Sequence, residues 1–408
     1  MTVGSCAVQE EPAADFPVYD ANLFAVSALQ DPIPHYSAIR ELGPVVRLRE
    51  PDVLVLSRFV DVRDALRAPD ILVSGRGVGF NATVNAPREH PSMINSDGAR
   101  HRTLRSGLNR FLLPKPLSAS RALFRDLLDE RISTLRRRGE WFDAMTEIAR
   151  HLPLEAVSHL VGLPSTAREQ MLRWAAATFN SLGLQSDDPV ERRQFEADLA
   201  VRGEIQQFLR SVEPADLKPG SWAESLFLSV REGRMDLEEA RSALSALVLP
   251  SLDTTIFAKG NLLHNLAHAP DQWNRLRTEP ALIPGAVVEG MRHRPVVRWF
   301  SRVAVEDYAA GAVHIPKGER VMLLYGAANR DDRHYADPNR FDVARAPMDQ
   351  LGWGTGPHMC LGMNLAKLEM EVLIEALVAQ VERIEVGEPV ITTNQGLFGF
   401  TALPMRLS

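Results

Sequence analysis

The chain has 408 residues, 45% hydrophobic and 24% charged, with a formal net charge of −6. That length allows a large core, and the acidic balance argues against nucleic acid as a general partner. Cys6 and Cys360 are the two cysteines and lie far apart, so no structural disulfide is expected and the usage suits a reducing cytoplasm.

In chain order, residues 1–20 form a Pro/Ala/Glu-rich leader, read as disordered and not as a signal peptide, since no basic segment precedes an apolar one. Nowhere do ~18 apolar residues run together, so no membrane span is expected. Residues 44–57, with Val-Leu-Val-Leu at their end, predict a β-hairpin. Residues 73–97 are rich in Gly, Asn and Pro and read as a long loop of the kind that usually carries function. Apolar residues at three-to-four spacing then predict helices over 98–113, 118–138, 141–161, 167–181, 189–211, 236–268 and 281–292. The 236–268 helix is long enough to run through a core. After residue 295 come short strands and turns, a last helix over 361–380, and strand-like pieces such as Val390-Ile391-Thr392. No repeat or break in composition appears, so residues 21–408 read as one domain, mainly α with small β-sheets.

The chemistry concentrates in Trp353-Gly354-Thr355-Gly356-Pro357-His358-Met359-Cys360-Leu361-Gly362. Its glycines permit left-handed backbone and close approach to a flat ligand. A Cys just before a helix faces backbone N–H donors, which favour its thiolate, and a thiolate is a strong axial ligand for haem iron. A lone Cys in a Gly-rich turn is more often plain packing; here the surroundings decide otherwise. Further back, Glu289 and Arg292 stand three apart on a helix, a spacing at which they can pair. On the long helix, Pro250-Ser251-Leu252-Asp253-Thr254 sets an acid beside a hydroxyl in an apolar context.

The Cys stretch resembles the haem-binding signature of cytochromes P450, with Trp353 where that family has Phe, and with Ala366 and Glu369 also in register. The resemblance implies the P450 fold, a triangular helical body with haem b between the long distal helix and the Cys-loop helix. It implies Cys360 as iron ligand, with Trp353, Gly354 and Gly362 shaping the cradle. His101 and Arg105 match the family's H-x-x-x-R, and with Arg302 and His358 they would meet the haem propionates, for which the Arg fork is suited. Glu289 and Arg292 match the ExxR, completed by an Arg for which Arg340 is the candidate and Arg345 the reserve. Asp253 and Thr254 fall where the family relays protons during dioxygen activation. Pro250 and Ser251 replace the usual Ala-Gly; Pro250, which lacks an N–H and clashes with the Ala246 carbonyl, is expected to kink the helix. The Ser251 hydroxyl is expected to join the water network there.

The same resemblance assigns the substrate pocket to Val78, Phe80, Ile94, Phe179 and Leu249, with Val296, Val297 and Phe398 from the C-terminal half. Arg88 and Ser92 are added as groups able to bind an acid or phenol. Gly43-Pro44-Val45-Val46, Arg76-Gly77-Val78-Gly79 and Ala328-Asn329-Arg330-Asp331 are similar to P450s that demethylate para-substituted benzoates, although the hydroxyl positions of their carboxylate clamp correspond to Ala246 and Leu249. The expectation is a cytoplasmic, monomeric monooxygenase acting on a small hydrophobic substrate, aromatic or methoxy-aromatic, with a terpenoid as the alternative. The reaction is hydroxylation or O-dealkylation with electrons from a ferredoxin and an NAD(P)H-dependent reductase. Its rivals are a peroxide-driven peroxygenase, against which Asp253 and Thr254 count, and a non-catalytic haem-binding protein.

Overall fold

The computed structural model describes residues 16–87, 89–185 and 189–408. The helices that build the body are α1 (Gly98–Leu112), α2 (Arg121–Arg138), α3 (Ser165–Asn180), α4 (Pro189–Ser211), α5 (Leu237–Val248), α6 (Asp253–His268), α7 (Ile283–His293) and α8 (Met363–Gln380). Strands β1 (Val18–Tyr19), β2 (Val46–Leu48), β3 (Val53–Leu56), β4 (Leu72–Val73), β5 (Trp299–Ala304) and β6 (Arg320–Leu324) form one sheet in the order β1-β2-β3-β6-β5-β4. The class is mainly α with small sheets, as the periodicity predicts.

Local sequence explains most elements. In α2 the buried residues Phe124, Leu128, Ile132 and Leu135 repeat at helical spacing, three arginines sit in its last turn, and Gly139 ends it at φ 63°. A capping box of Asp236 and Glu239 starts α5. The predicted hairpin is β2–β3, with Val46 opposite Val55. β3 is buried at every position and pairs in parallel with β6, the pattern of a strand covered on both faces. The 73–97 loop is held by side chains acting as backbone surrogates. The Asp97 carboxylate accepts from the N–H groups of Ser74 and Gly75 at 3.0 and 2.6 Å, and Asn81 Oδ1 caps the short helix Ala82–Asn85.

Three expectations are corrected. Phe16 is buried and β1 pairs with β2, so the folded body begins inside the supposed leader. The 141–161 segment is not one helix: Phe142–Asp143 is a strand, Met145–Ala149 a π-helical turn, and His151–Leu160 a helix. The 236–268 helix is divided, α5 ending at Val248 and α6 starting at Asp253. Helices Trp222–Arg231 and Pro270–Thr278 were not foreseen; the first is capped by Ser221 and the second carries Pro in its first turn.

Candidate active site

The Cys loop is a tight hydrogen-bonded turn in front of α8. The Cys360 N–H donates to the Trp353 carbonyl at 2.8 Å, and residues 356–358 make a single 3₁₀ turn. Gly354 and Gly356 take φ of 67° and 69°. A Cβ at Gly356 would lie 2.4 Å from the Leu66 carbonyl, so glycine lets the loop seat on helix Phe59–Leu66. Gly362 is not left-handed (φ −80°); its bareness leaves the space near Cys360 Sγ, 4.0 Å from where a Cβ would stand. Trp353 is buried, and the Lys367 ammonium lies 6.0 Å from its ring centre.

Cys360 is open to a water-sized sphere, yet protein surrounds it on its other sides, as on the floor of a concavity. Burial pushes its thiol above the ordinary range, against the pull of the Gly362 and Met363 N–H groups and the Arg105 charge. The N–H groups at the helix start favour the thiolate as expected, and burial opposes them. A bound metal would hold the thiolate, because coordination deprotonates a thiol outright.

Around this sulfur the structure gathers the expected cations. The His101 and His358 rings lie 4.1 Å apart between centres. Arg105 donates to the Met359 carbonyl at 2.7 Å, while Arg302, buried in β5, bonds the Ser301 carbonyl at 2.8 Å and acts electrostatically on His358. Burial and the neighbouring positive groups lower His101 to about 4, so its imidazole is neutral near pH 7. His101 Nε2 is buried with no protein partner. An orphaned donor, two guanidinium groups and a lone thiol suit a flat iron complex with an anionic edge, and these residues fit haem. Asp97, unforeseen from sequence, faces His358 at 3.7 Å and keeps the cluster from being wholly cationic.

Behind the loop, Glu289 and Arg292 form a fully buried two-point ion pair, with bonds of 2.7 and 2.8 Å. The third member is Arg345 and not Arg340. Arg345 Nε reaches Glu289 at 3.3 Å, whereas Arg340 is exposed and offers only its carbonyl to Arg292, at 3.2 Å. The first candidate, Arg340, is displaced because the turn at 337–345 brings the later residue back under Glu289. Arg292 also donates to the carbonyls of Asn329 and Pro338, and Asn329 Oδ1 accepts the Leu351 N–H at 2.7 Å. The triad is thus tied to the approach of the Cys loop.

On the other side, the kink expected at Pro250 is a full break between two helices. The Ala246 carbonyl loses its donor, and residues 249–252 form a turn closed by Ser251 N–H on the Val248 carbonyl at 3.4 Å. The Ser251 hydroxyl donates to the Val248 carbonyl at 2.8 Å. Thr254 Oγ1 donates to the Pro250 carbonyl at 2.6 Å. Burial raises the Asp253 carboxyl to about 7, with Arg150 pulling the other way. A carboxyl poised there can give up and retake a proton near neutrality.

A cavity of about 570 Å³ lies between the 73–97 loop, α3, α4 and α5. Ser92 and Leu249 line it as expected. Arg202, Arg241, Ser242 and Ser245 line it too, which sequence reasoning did not single out. Other expected lining residues are used in packing. Phe80 rests against Trp299, with ring centres 4.5 Å apart, and Phe179 is buried among core residues. Val78 and Val296 are buried and use their carbonyls in backbone bonds, Val297 bridges Leu397, and the Arg298 guanidinium lies 5.0 Å from the Phe398 ring centre. Ile94 sits in the 3₁₀ turn Met93–Asn95, half-buried, and Arg88 lies outside the described residues.

Comparison with known proteins agrees with this arrangement. The family model for cytochrome P450 matches residues 201–406. Cytochrome p450 CYP199A2 of Rhodopseudomonas palustris is 32% identical over 94% of this chain and 93% of its own. The chain belongs to the cytochrome P450 family. Mycinamicin IV hydroxylase/epoxidase of Micromonospora griseorubida is 29% identical, over 87% of this chain and 89% of its own. The ligand-free structure of Mycobacterium smegmatis CYP164A2 superposes with a TM-score of 0.83 at 26% identity, covering 94% of this P450 and 98% of that chain. This P450 is therefore a haem-dependent monooxygenase with the P450 fold. Among the described residues, no helix is long and apolar enough to cross a membrane.

Proposed function

We propose that this P450 inserts one oxygen atom from O2 into a compact, largely apolar substrate, with an aromatic or methoxy-aromatic acid or phenol as the favoured class. The reaction is hydroxylation or O-dealkylation. When bound, haem supplies the dioxygen-activating chemistry, with Cys360 as its sulfur ligand and His101, Arg105, Arg302 and His358 meeting its carboxylates. Asp253 holds the exchangeable proton and Thr254 positions it on the distal side. Glu289, Arg292 and Arg345 keep the Cys loop in place.

The observation that carries the substrate reading is the mixed apolar and polar lining of the cavity. Its volume is ordinary for a small-molecule site. Val84, Leu199, Ile205, Leu209 and Leu249 give it an apolar wall, and Arg202, Arg241, Ser242 and Ser245 stand among them together with the acids Glu89 and Glu238. An apolar body with one polar or anionic substituent matches that mixed lining better than a wholly apolar terpenoid.

Electrons come from a ferredoxin and an NAD(P)H-dependent reductase, and the enzyme works as a cytoplasmic monomer. Haem absorbance is the test. A low-to-high-spin shift with methoxybenzoates or methoxyphenols and none with terpenoids supports the substrate class, and the reverse pattern removes it. Turnover that runs on hydrogen peroxide and not on NAD(P)H plus ferredoxin would replace this reading with a peroxygenase.

A further inference from the structure

Lys259 and Glu369 form an ion pair that the chemistry above does not use. Lys259 Nζ donates to Glu369 Oε2 at 2.6 Å, and the side chains are 0% and 3% exposed. The pair joins α6, which begins with Asp253 and Thr254, to α8, which follows Cys360. Burial pushes the ammonium down and the carboxyl up, each restrained by the other.

A buried ion pair is poor evidence of added stability. Apolar residues of similar volume usually fold as well or better, and the best-attested use of such pairs is to fix register. The neighbouring residues point to that use. Gly260 has no Cβ where one would lie 2.5 Å from Met145 Sδ of the π-helical turn. Asn261 donates to the carbonyls of Arg294 and Phe398, both at 3.2 Å. Three consecutive residues of α6 are therefore locked to different parts of the protein. The break at residues 249–252 removes the usual alternative, which is continuity with the preceding helix. The start of α6 has no side-chain cap either, since Leu252 supplies none.

We propose that Lys259 and Glu369 are positioning residues that hold the first turn of α6, and with it Asp253 and Thr254, in fixed register against the Cys360 helix. They stand in for the helix continuity that Pro250 removes. Lys259 is five residues beyond Thr254, about 140° around the helix at 100° per residue, so it acts from the back of α6 and not by contact with the reacting groups. The proposal rests on the relay role given above to Asp253 and Thr254.

The test uses holoenzyme. Lys259→Met alone strands a buried carboxylate and is expected to lose stability, so the informative variant is Lys259→Met/Glu369→Leu. Its melting temperature should match the parent. Amide hydrogen exchange over residues 256–258 should rise by about tenfold, a loosening of the first turn without global unfolding. The peroxide released per NAD(P)H consumed should rise about twofold or more. Adding Pro250→Ala, which rejoins α5 to α6, should return both towards the parent. Unchanged exchange in the double variant overturns the proposal. So does raised exchange with unchanged peroxide release, provided Thr254→Ala does raise it. If Thr254→Ala has no effect on peroxide release, the relay reading fails instead, and exchange with its rescue by Pro250→Ala still judges the register role.

Discussion

Thr254 Oγ1 donates to the carbonyl of Pro250 at 2.6 Å, so the hydroxyl assigned to proton delivery is tied to the residue that divides the distal helix. The tie follows from sequence spacing, since a Thr four residues after a carbonyl in a helical turn can bond back to it. Pro250 leaves that carbonyl in a turn, outside the regular ladder.

Pro250→Ala should let residue 250 donate to Ala246 and extend α5 towards α6. The gain is about 1–2 kcal/mol, less than the ~3 of a proline trapped inside a helix because the chain has already relaxed into a turn. A higher melting temperature and added protection of the amides at 249–252 are the expected readings; no change in either would show that the break has another cause.

Asp253→Asn probes the raised carboxyl. With its pKa at about 7 in the folded chain, against an ordinary 3.8, the neutral form is favoured by folding. The contribution to stability is full below about 4 and is lost as pH rises through 7. The variant should therefore gain in melting temperature over the parent at pH 8 but not at pH 4. The step in turnover with an apparent pKa near 7 should also disappear. A step that persists would move the relay to another group.

Arg345 and Arg340 are five residues apart in sequence and should behave differently. Arg345 bonds Glu289 and the carbonyls of Ala336 and Asp337. Arg345→Ala should cost about 2–3 kcal/mol, as for lost hydrogen bonds to charged groups. Arg340→Ala, at an exposed side chain, should stay within about 0.5 kcal/mol. Urea midpoints of the two variants decide, and equal losses would return Arg340 to the triad.

His101→Leu removes the orphaned Nε2 donor while keeping an apolar side chain in a buried position. The haem-to-protein ratio after gel filtration should fall, with the apoprotein fold intact by circular dichroism. Its lowered pKa of about 4 also means that neutral His101 favours folding above about 6.5, and that this is lost as pH falls towards 4. The variant should be less acid-sensitive over that interval, which a melting series between pH 4 and 7 measures.

Sequence by itself determined the ligand loop, because glycine placement, a single Cys and a following helix are local features read along one stretch. It also determined the helical class, the β2–β3 hairpin and the break at Pro250, each a consequence of side-chain period or backbone chemistry. Tertiary structure alone decided what depends on residues far apart meeting in space. It brought Arg345 and not Arg340 to Glu289, since a turn returns the chain beneath a buried carboxylate. It set Asp97 against His358 and placed Lys259 on Glu369, a pairing 110 residues apart that no spacing rule signals. It also lined the cavity with Arg202, Arg241, Ser242 and Ser245, because a polar stripe looks the same in sequence whether it faces open solvent or a cavity. Burial made the remaining choice, raising the Cys360 thiol that its helix start alone would have lowered.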